Sequence, residues 1–171
     1  MAINNNEESY RQIFESLFNP LFQLALSMLK CKEQAQEVAS DVLFRVWQNR
    51  LSLLEVDNIK VYVLTMARNH SLNLLKKNAR LKVISLEHIQ LENDDHVARP
   101  DQIMIDHQNQ ALIQKAIQSL PTRCKLVFKL IKEEGLSYKE VAEILNISPK
   151  TVDAHLVTAM KKLSDALKVK S

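Results

Sequence analysis

Apolar residues recur along this chain at intervals of three and four with polar residues between them. No stretch sustains the residue-by-residue alternation of a half-buried strand. In "SYRQIFESLF" the stripe is Tyr10, Ile13, Phe14, Leu17 and Phe18, and Asn19-Pro20 predicts a break after it. "PLFQLALSMLK" restarts the pattern with Pro20 as a first-turn residue. "KEQAQEVASDVLFRVWQNR" is a predicted third helix that buries Ala35, Val38, Val42, Leu43 and Val46. Asn49 to Asp57 read as a loop. Asn58 is then placed to cap a long fourth helix, Ile59 to Arg80, with Val61, Leu64, Ala67 (or the aliphatic stem of Arg68), Leu72 and Leu75 on its stripe. Four such helices suffice for a small bundle.

The periodicity lapses over residues 81–106, where acid accumulates and Pro100 sits; a linker is predicted there, with one short helix near Ile84 to Gln90. From residue 107 the pattern returns as four helices, at about 107–119, 122–134, 137–145 and 149–168. Pro121 opens the second of these and Gly135 stands just past its end. The last two enclose "LSYKEVAEILNISPKTVDAHL". Its first half carries an apolar stripe of Val141, Ala142, Ile144 and Leu145. Asn146 tolerates the left-handed conformation that ends helices, and Ser148 can cap the next one with Pro149 in its first position. Val152, Leu156, Ala159 and Leu163 form the buried face of that last helix, and Lys150, Thr151, Asp153, Ala154, Val157, Thr158 and Lys161 the outer one. Two short helices meeting at a sharp turn, the second with a small, polar, partly basic face, suit entry into a major groove. A helical hairpin with a merely solvated face is the plainer alternative.

The expectation is therefore an all-α protein of two small helical domains. A four-helix N-terminal bundle covers residues 1–80, an acidic linker 81–106, and a helix-turn-helix domain 107–171. A single glycine, Gly135, fits a chain with few tight turns. The formal charge of +3 does not by itself announce nucleic acid, but its distribution changes the picture. Residues 60–84 carry Lys60, Arg68, Lys76, Lys77, Arg80 and Lys82 with no acid, and residues 85–106 carry six acids against Arg99 alone. A basic helix followed by an acidic segment is an organised dipole.

Cys31 and Cys124 lie far apart inside apolar patterns and are expected as buried free thiols in a reducing compartment. "MAINNNEESY" lacks a basic start followed by an apolar run, and Leu21 to Leu29, broken by Gln23 and Ser27, is too short to span a bilayer. A cytoplasmic protein with no membrane insertion is expected. The five histidines and two cysteines show no metal-ligand spacing. No phosphate loop, nucleophile-base pair or paired carboxylates stand out, so neither metal, cofactor nor enzyme is expected.

Taken together, these segments resemble a bacterial RNA polymerase sigma factor of the extracytoplasmic-function type, over nearly the whole chain. "QEVASDVLFRVWQNR" is similar to the family's polymerase-binding helix. "YVLTMARNHSLNLLKK", with Ala-Arg-Asn at 67–69, is similar to its promoter-melting helix. "SLPTRCKLVFKLIKEEGLSYKEVAEILNISPKTVDAHLVTAMKKL" is similar to its second DNA-binding domain, including Leu-Pro at 120–121, Arg123 and Gly135. The resemblance implies that the chain binds core RNA polymerase, directs it to promoter DNA and helps open the duplex, with an anti-sigma factor as a further partner. It implies that Glu37, Asp41, Arg45 and Trp47 face the polymerase. It places Asn69 and Asn73 on the unpaired −10 strand, with Arg68, Lys76 and Lys77 on its phosphates, and the outer face of the last helix on the −35 element. The chain departs from the usual pattern at Ser40, Leu43, Asn73 and Asn146.

Opened DNA offers unstacked bases and a dense line of phosphates, which a basic helix with amide side chains can hold. Trp47 continues the Val38-Val42-Val46 side of its helix, which favours packing over base stacking. The basic residues at 76–82 also suit a helix C-terminus on dipole grounds alone. Two other readings compete. One is a two-domain helix-turn-helix regulator, which ordinarily carries a sensing domain with βα alternation, a pattern the first 100 residues here lack. The other is a sigma-like decoy that binds an anti-sigma factor without touching DNA.

Overall fold

The computed structural model describes residues 2–85 and 108–168, and all regular structure among them is helical. The N-terminal unit comprises α1 (Ala2–Leu29), α2 (Lys32–Gln48), a 3-10 turn (Ser52–Glu55) and α3 (Ile59–Ser85). The C-terminal unit comprises α4 (Gln108–Gln118), α5 (Thr122–Lys132), α6 (Tyr138–Leu145) and α7 (Pro149–Lys168).

The break expected at Asn19-Pro20 does not occur. α1 runs through Pro20, so the N-terminal unit is built on three long helices where four were expected. An interior proline costs about 3 kcal/mol. Against this, one apolar stripe continues across it, with Leu17 nearly and Leu21, Leu24 and Ala25 wholly buried against α2 and α3. Each leucine contributes roughly 1.5–3 kcal/mol on burial, so the stripe outweighs the proline.

α1 ends at Lys30, which adopts the left-handed conformation (φ 58°) while its amide donates to the Leu26 carbonyl at 3.0 Å. No glycine or asparagine marks this corner, so the sequence carries no signal for it. Cys31 follows in extended geometry at the start of α2. It is half-buried, with its thiol donating to Glu33 Oε2 at 3.3 Å, which corrects the expectation of a buried thiol; Cys124 is buried as expected. The corner lifts Cys31 out of the apolar stripe that its neighbours suggest.

Asn58 caps α3 as expected, its Oδ1 accepting from the amides of Lys60 at 3.1 Å and Val61 at 3.2 Å. Val61, Leu64 and Ala67 are buried, but Leu72 is only partly so and Leu75 is exposed. Val63 and Ser71 are buried in their place, Ser71 donating to the Ala67 carbonyl at 2.8 Å. The cause is that α3 packs on α1 and α2 and also on α6, which widens its buried face towards its N-terminal half. α3 continues to Ser85, so the linker expected from residue 81 begins as helix; the rest of it, with residues 86–90 of the short helix expected near 84–90, lies outside the described residues.

In the C-terminal unit the four helices fall where expected. Gly135 takes φ 69° after α5, and the next amide, Leu136, returns to the Leu130 carbonyl at 3.1 Å. Asn146 is left-handed (φ 53°, ψ 50°), and Ser148 Oγ accepts from the Thr151 amide at 3.1 Å. α6 also opens on a reciprocal cap: the Ser137 amide donates to Glu140 Oε2 at 2.7 Å and the Glu140 amide to Ser137 Oγ at 3.3 Å. The Ser137 amide and hydroxyl, and then Asn58, hold the Glu140 carboxyl below the usual carboxylate range. A depressed carboxylate stabilises the fold above its unfolded pKa and loses that contribution as pH falls through the folded value. Glu140→Ala is therefore expected to cost about 1 kcal/mol near neutral pH, with the difference from wild type narrowing towards pH 3 in urea unfolding.

The two units pack against each other. Val127, Leu130, Leu136, Val141, Ala142 and Ile144 belong to the same apolar core as the buried residues of α1, α2 and α3. Polar contacts edge this seam: Lys60 Nζ to Glu134 Oε2 at 3.1 Å, Asn58 Nδ2 to Glu140 Oε1 at 2.6 Å, and Lys30 Nζ to Thr122 Oγ1 at 3.2 Å. A smaller core of Ala116, Ile117, Leu120, Cys124, Ala159 and Leu163 lies within the C-terminal unit.

Candidate functional site

Three helix faces are left free by this packing. On α7, Val152, Leu156, Ala159 and Leu163 are buried, which turns Lys150, Asp153, Ala154, Val157, Thr158 and Lys161 outward, all of them exposed. Val157 stands 58% exposed in mid-helix, a bare branched apolar group among polar neighbours. Thr151 is only half-exposed, because its hydroxyl lies 2.8 Å from Ser148 Oγ within the helix cap. Thr158 Oγ1 donates to the Ala154 carbonyl at 2.9 Å, so its proton is engaged while its lone pairs and methyl face out. Met160, which is not among the expected outer residues, is exposed beside this face.

On α3, Asn69, Asn73, Lys76 and Lys77 follow at i, i+4, i+7 and i+8, forming one exposed stripe. Arg68 is half-buried, and its Nη1 donates to Asn69 Oδ1 at 3.1 Å. That bond takes one lone pair of the Asn69 carbonyl and fixes the amide, whose NH2 stays available as a donor. Val42, Arg45, Met66, Asn69, His70 and Asn73 line a surface depression that joins this stripe to α2.

On α2, Glu37, Asp41, Phe44 and Arg45 share a face at the same spacing. Glu37 and Arg45 are exposed, and Asp41 is half-exposed with Oδ2 4.0 Å from His70 Nε2. His70 Nδ1 is buried without a hydrogen-bond partner. Phe44 is 57% exposed, an unexpected position for a phenylalanine and one that helical spacing alone places beside Glu37 and Asp41. Trp47 is set apart from them. Its ring lies 4.4 Å from that of Tyr10, with the Arg50 guanidinium 4.6 Å above it, and Tyr10 donates to the Leu43 carbonyl at 3.3 Å. Trp47 thus fastens α1 to α2, the packing role its place on the helix favours.

The outward residues of α2 and α3 adjoin on one unit, and those of α7 stand on the other. Among the described residues no three His, Cys, Asp or Glu side chains gather where they could hold a metal ion, and no helix is long and apolar enough to cross a membrane.

Residues 13–81 match the family Sigma-70 region 2, and residues 110–163 match Sigma-70, region 4. The chain is similar to the ECF RNA polymerase sigma factor SigX of Bacillus subtilis (strain 168). The two are 22% identical over 151 residues, which cover 85% of this chain and 77% of SigX. It is also similar to the ferric citrate uptake sigma factor FecI of Escherichia coli (strain K12), at 24% identity over 152 residues, covering 86% of this chain and 87% of FecI. In fold it is similar to the sigma factor RpoE in complex with the anti-sigma factor NepR from Bartonella quintana. The TM-score is 0.62 at 21% identity, over 96% of this chain and 99% of that one.

Proposed function

This chain belongs to the bacterial RNA polymerase sigma factors of the extracytoplasmic-function type, and we propose that it divides promoter binding between its two helical units. It binds core RNA polymerase, directs it to promoters and helps open the DNA. Residues 1–80 serve the polymerase and the −10 element, residues 107–171 the −35 element, and the acidic segment 81–106 joins them. The observation that carries this reading is that α3 and α7, on different units, each present an exposed polar face while their opposite faces close the core.

Glu37, Asp41 and Arg45 form the polymerase-facing surface of α2, and Phe44 joins them as an apolar anchor. Exposed aromatics at the centre of a charged rim are where binding energy concentrates. Asn69 and Asn73 hold unpaired bases, Asn69 through its free NH2 and Asn73 through either end of its amide, with Lys76, Lys77 and Arg68 on the flanking phosphates. The protein works in the cytoplasm, carries out no reaction of its own, and is held in reserve by an anti-sigma factor, the kind of partner with which RpoE was solved.

Transcription in vitro with core polymerase and a promoter library tests the reading. Promoter-dependent transcripts should require this chain. Lys76→Ala with Lys77→Ala should flatten the plot of log affinity for opened DNA against log salt by roughly 1.4, two phosphate contacts on a single strand. Failure to support any initiation, with anti-sigma binding retained, would leave a decoy. An unchanged salt slope would reduce the two lysines to helix-end charges.

A further inference from the structure

Between the two units, where α1 faces α5, lies an open cavity of about 210 Å³. Gln23, Ser27 and Lys30 line it from one side, and Thr122, Lys125 and Lys129 from the other. Leu26, Leu126 and Leu130 supply its apolar part. Three lysines, Lys30, Lys125 and Lys129, therefore share one cleft with hydroxyl and amide side chains. Among the described residues no carboxylate lies within 4 Å of any of the three. Glu133 and Glu134 also line the cleft, but Glu134 is paired with Lys60 at 3.1 Å and Glu133 is exposed. Lys30 Nζ donates to Thr122 Oγ1 and Lys125 Nζ to Gln118 Oε1, both at 3.2 Å, so two of the cations are fixed by neutral partners.

Charge clustering of this kind is unfavourable by itself. Burial pushes the Lys125 ammonium below its usual range, and the charges of Lys129 and Lys30 push it further the same way. Lys30, moreover, occupies a left-handed backbone position that a glycine would take more readily. A chain selected only for packing has no need of three cations at a seam that lack a carboxylate partner among the described residues, one of them on a strained corner. An anion in the cleft relieves the repulsion, since all three ammonium groups can donate to it, Lys30 and Lys125 while keeping their neutral partners.

We infer that the cleft between α1 and α5 is a binding site for a small phosphate-bearing polyanion, held by Lys30, Lys125 and Lys129 with the Thr122 hydroxyl. The cavity is smaller than those that hold drug-sized ligands, which fits a compact ligand of one or two phosphate groups. Lysine suits it as a point charge that can donate to several phosphate oxygens. Because its walls come from both units, the ligand stabilises their packed arrangement over any in which they part. The site is separate from the α2, α3 and α7 faces assigned above and does not depend on those assignments.

Inorganic pyrophosphate is the probe, added to the full chain and compared with sodium chloride at equal ionic strength. Saturating pyrophosphate should raise the melting temperature by about 5 °C or more, where the salt control does not. Lys125→Gln with Lys129→Gln should abolish the rise, and Lys30→Gln, an exposed substitution that leaves the packing intact, should at least halve it. Lys76→Gln with Lys77→Gln removes two lysines of the basic stripe on α3 and should leave the rise unchanged. The inference is overturned if pyrophosphate gives no rise beyond the salt control. It is equally overturned if the rise survives Lys30→Gln undiminished, or if it vanishes with the Lys76 and Lys77 pair.

Discussion

Reversing two charges on α2, Glu37→Lys with Asp41→Lys, should weaken binding to core RNA polymerase by about 30- to 1000-fold, or roughly 2–4 kcal/mol. The range follows from what is lost and what is added. Exposed ion pairs alone contribute about 0–1 kcal/mol each, so truncation to alanine would give a smaller effect. Reversal also sets like charges against a complementary surface, and that repulsion, at several kcal/mol, outweighs the lost attraction. Phe44→Ala, by removing an exposed ring beside them, should contribute about tenfold more. None of the three should unfold the chain, because Glu37 and Phe44 touch solvent and Asp41 makes one long contact, 4.0 Å to His70. The measurement is a fluorescence titration against core polymerase, with thermal melting as the folding control. An unchanged affinity in the double reversal removes both acids from the interface.

How much of the molecule is legible in the chain depends on whether a feature is local. The helix-turn-helix is written in side chains that act within four residues: the left-handed Asn146, the Ser148 cap and the Val152-Leu156-Ala159-Leu163 stripe all stand where their spacing predicts. The Ser137–Glu140 reciprocal cap is of the same local kind, a Ser-x-x-Glu spacing at the start of α6. Features set by distant partners are not legible. Pro20 should end a helix in isolation, and only burial of the flanking leucines against α2 and α3 carries α1 through it. The seam between the units has no sequence signature, since Lys60, Glu134, Asn58 and Glu140 each look like surface residues until α6 packs on α3. The same holds for the burial of Val63 and for the meeting of Lys30 with Lys125 and Lys129 from the far unit. At the candidate site, helical spacing identifies the outer face of α7. It does not show that Thr151 turns into the cap, or that Arg68 donates to the Asn69 carbonyl.

The hydrogen bonds on α7 sharpen what that helix can read. Lys150 and Lys161 are the long basic groups of its outer face, and neither makes the planar two-point contact by which arginine selects guanine. Discrimination must come from the shorter residues between them. Asp153 is exposed and can accept from the cytosine amino group; Val157 and Ala154 present methyls that pack on thymine. The Thr158 proton is engaged by the Ala154 carbonyl, so Thr158 acts as an acceptor and an apolar contact. Reading of the −35 element should therefore combine apolar and single hydrogen-bond contacts with DNA shape. Asp153→Ala and Thr158→Val should each change the preferred base at one or two positions, by about 1–3 kcal/mol of discrimination. Lys161→Ala should weaken all sequences nearly alike and reduce the salt slope by roughly 0.9, one phosphate contact on duplex DNA. Selection from a promoter library randomised at −35 separates the two effects. If the Asp153 and Thr158 variants return the wild-type motif while Lys161→Ala shifts it, the specificity of α7 resides in its lysines and the short residues serve only to let the helix approach.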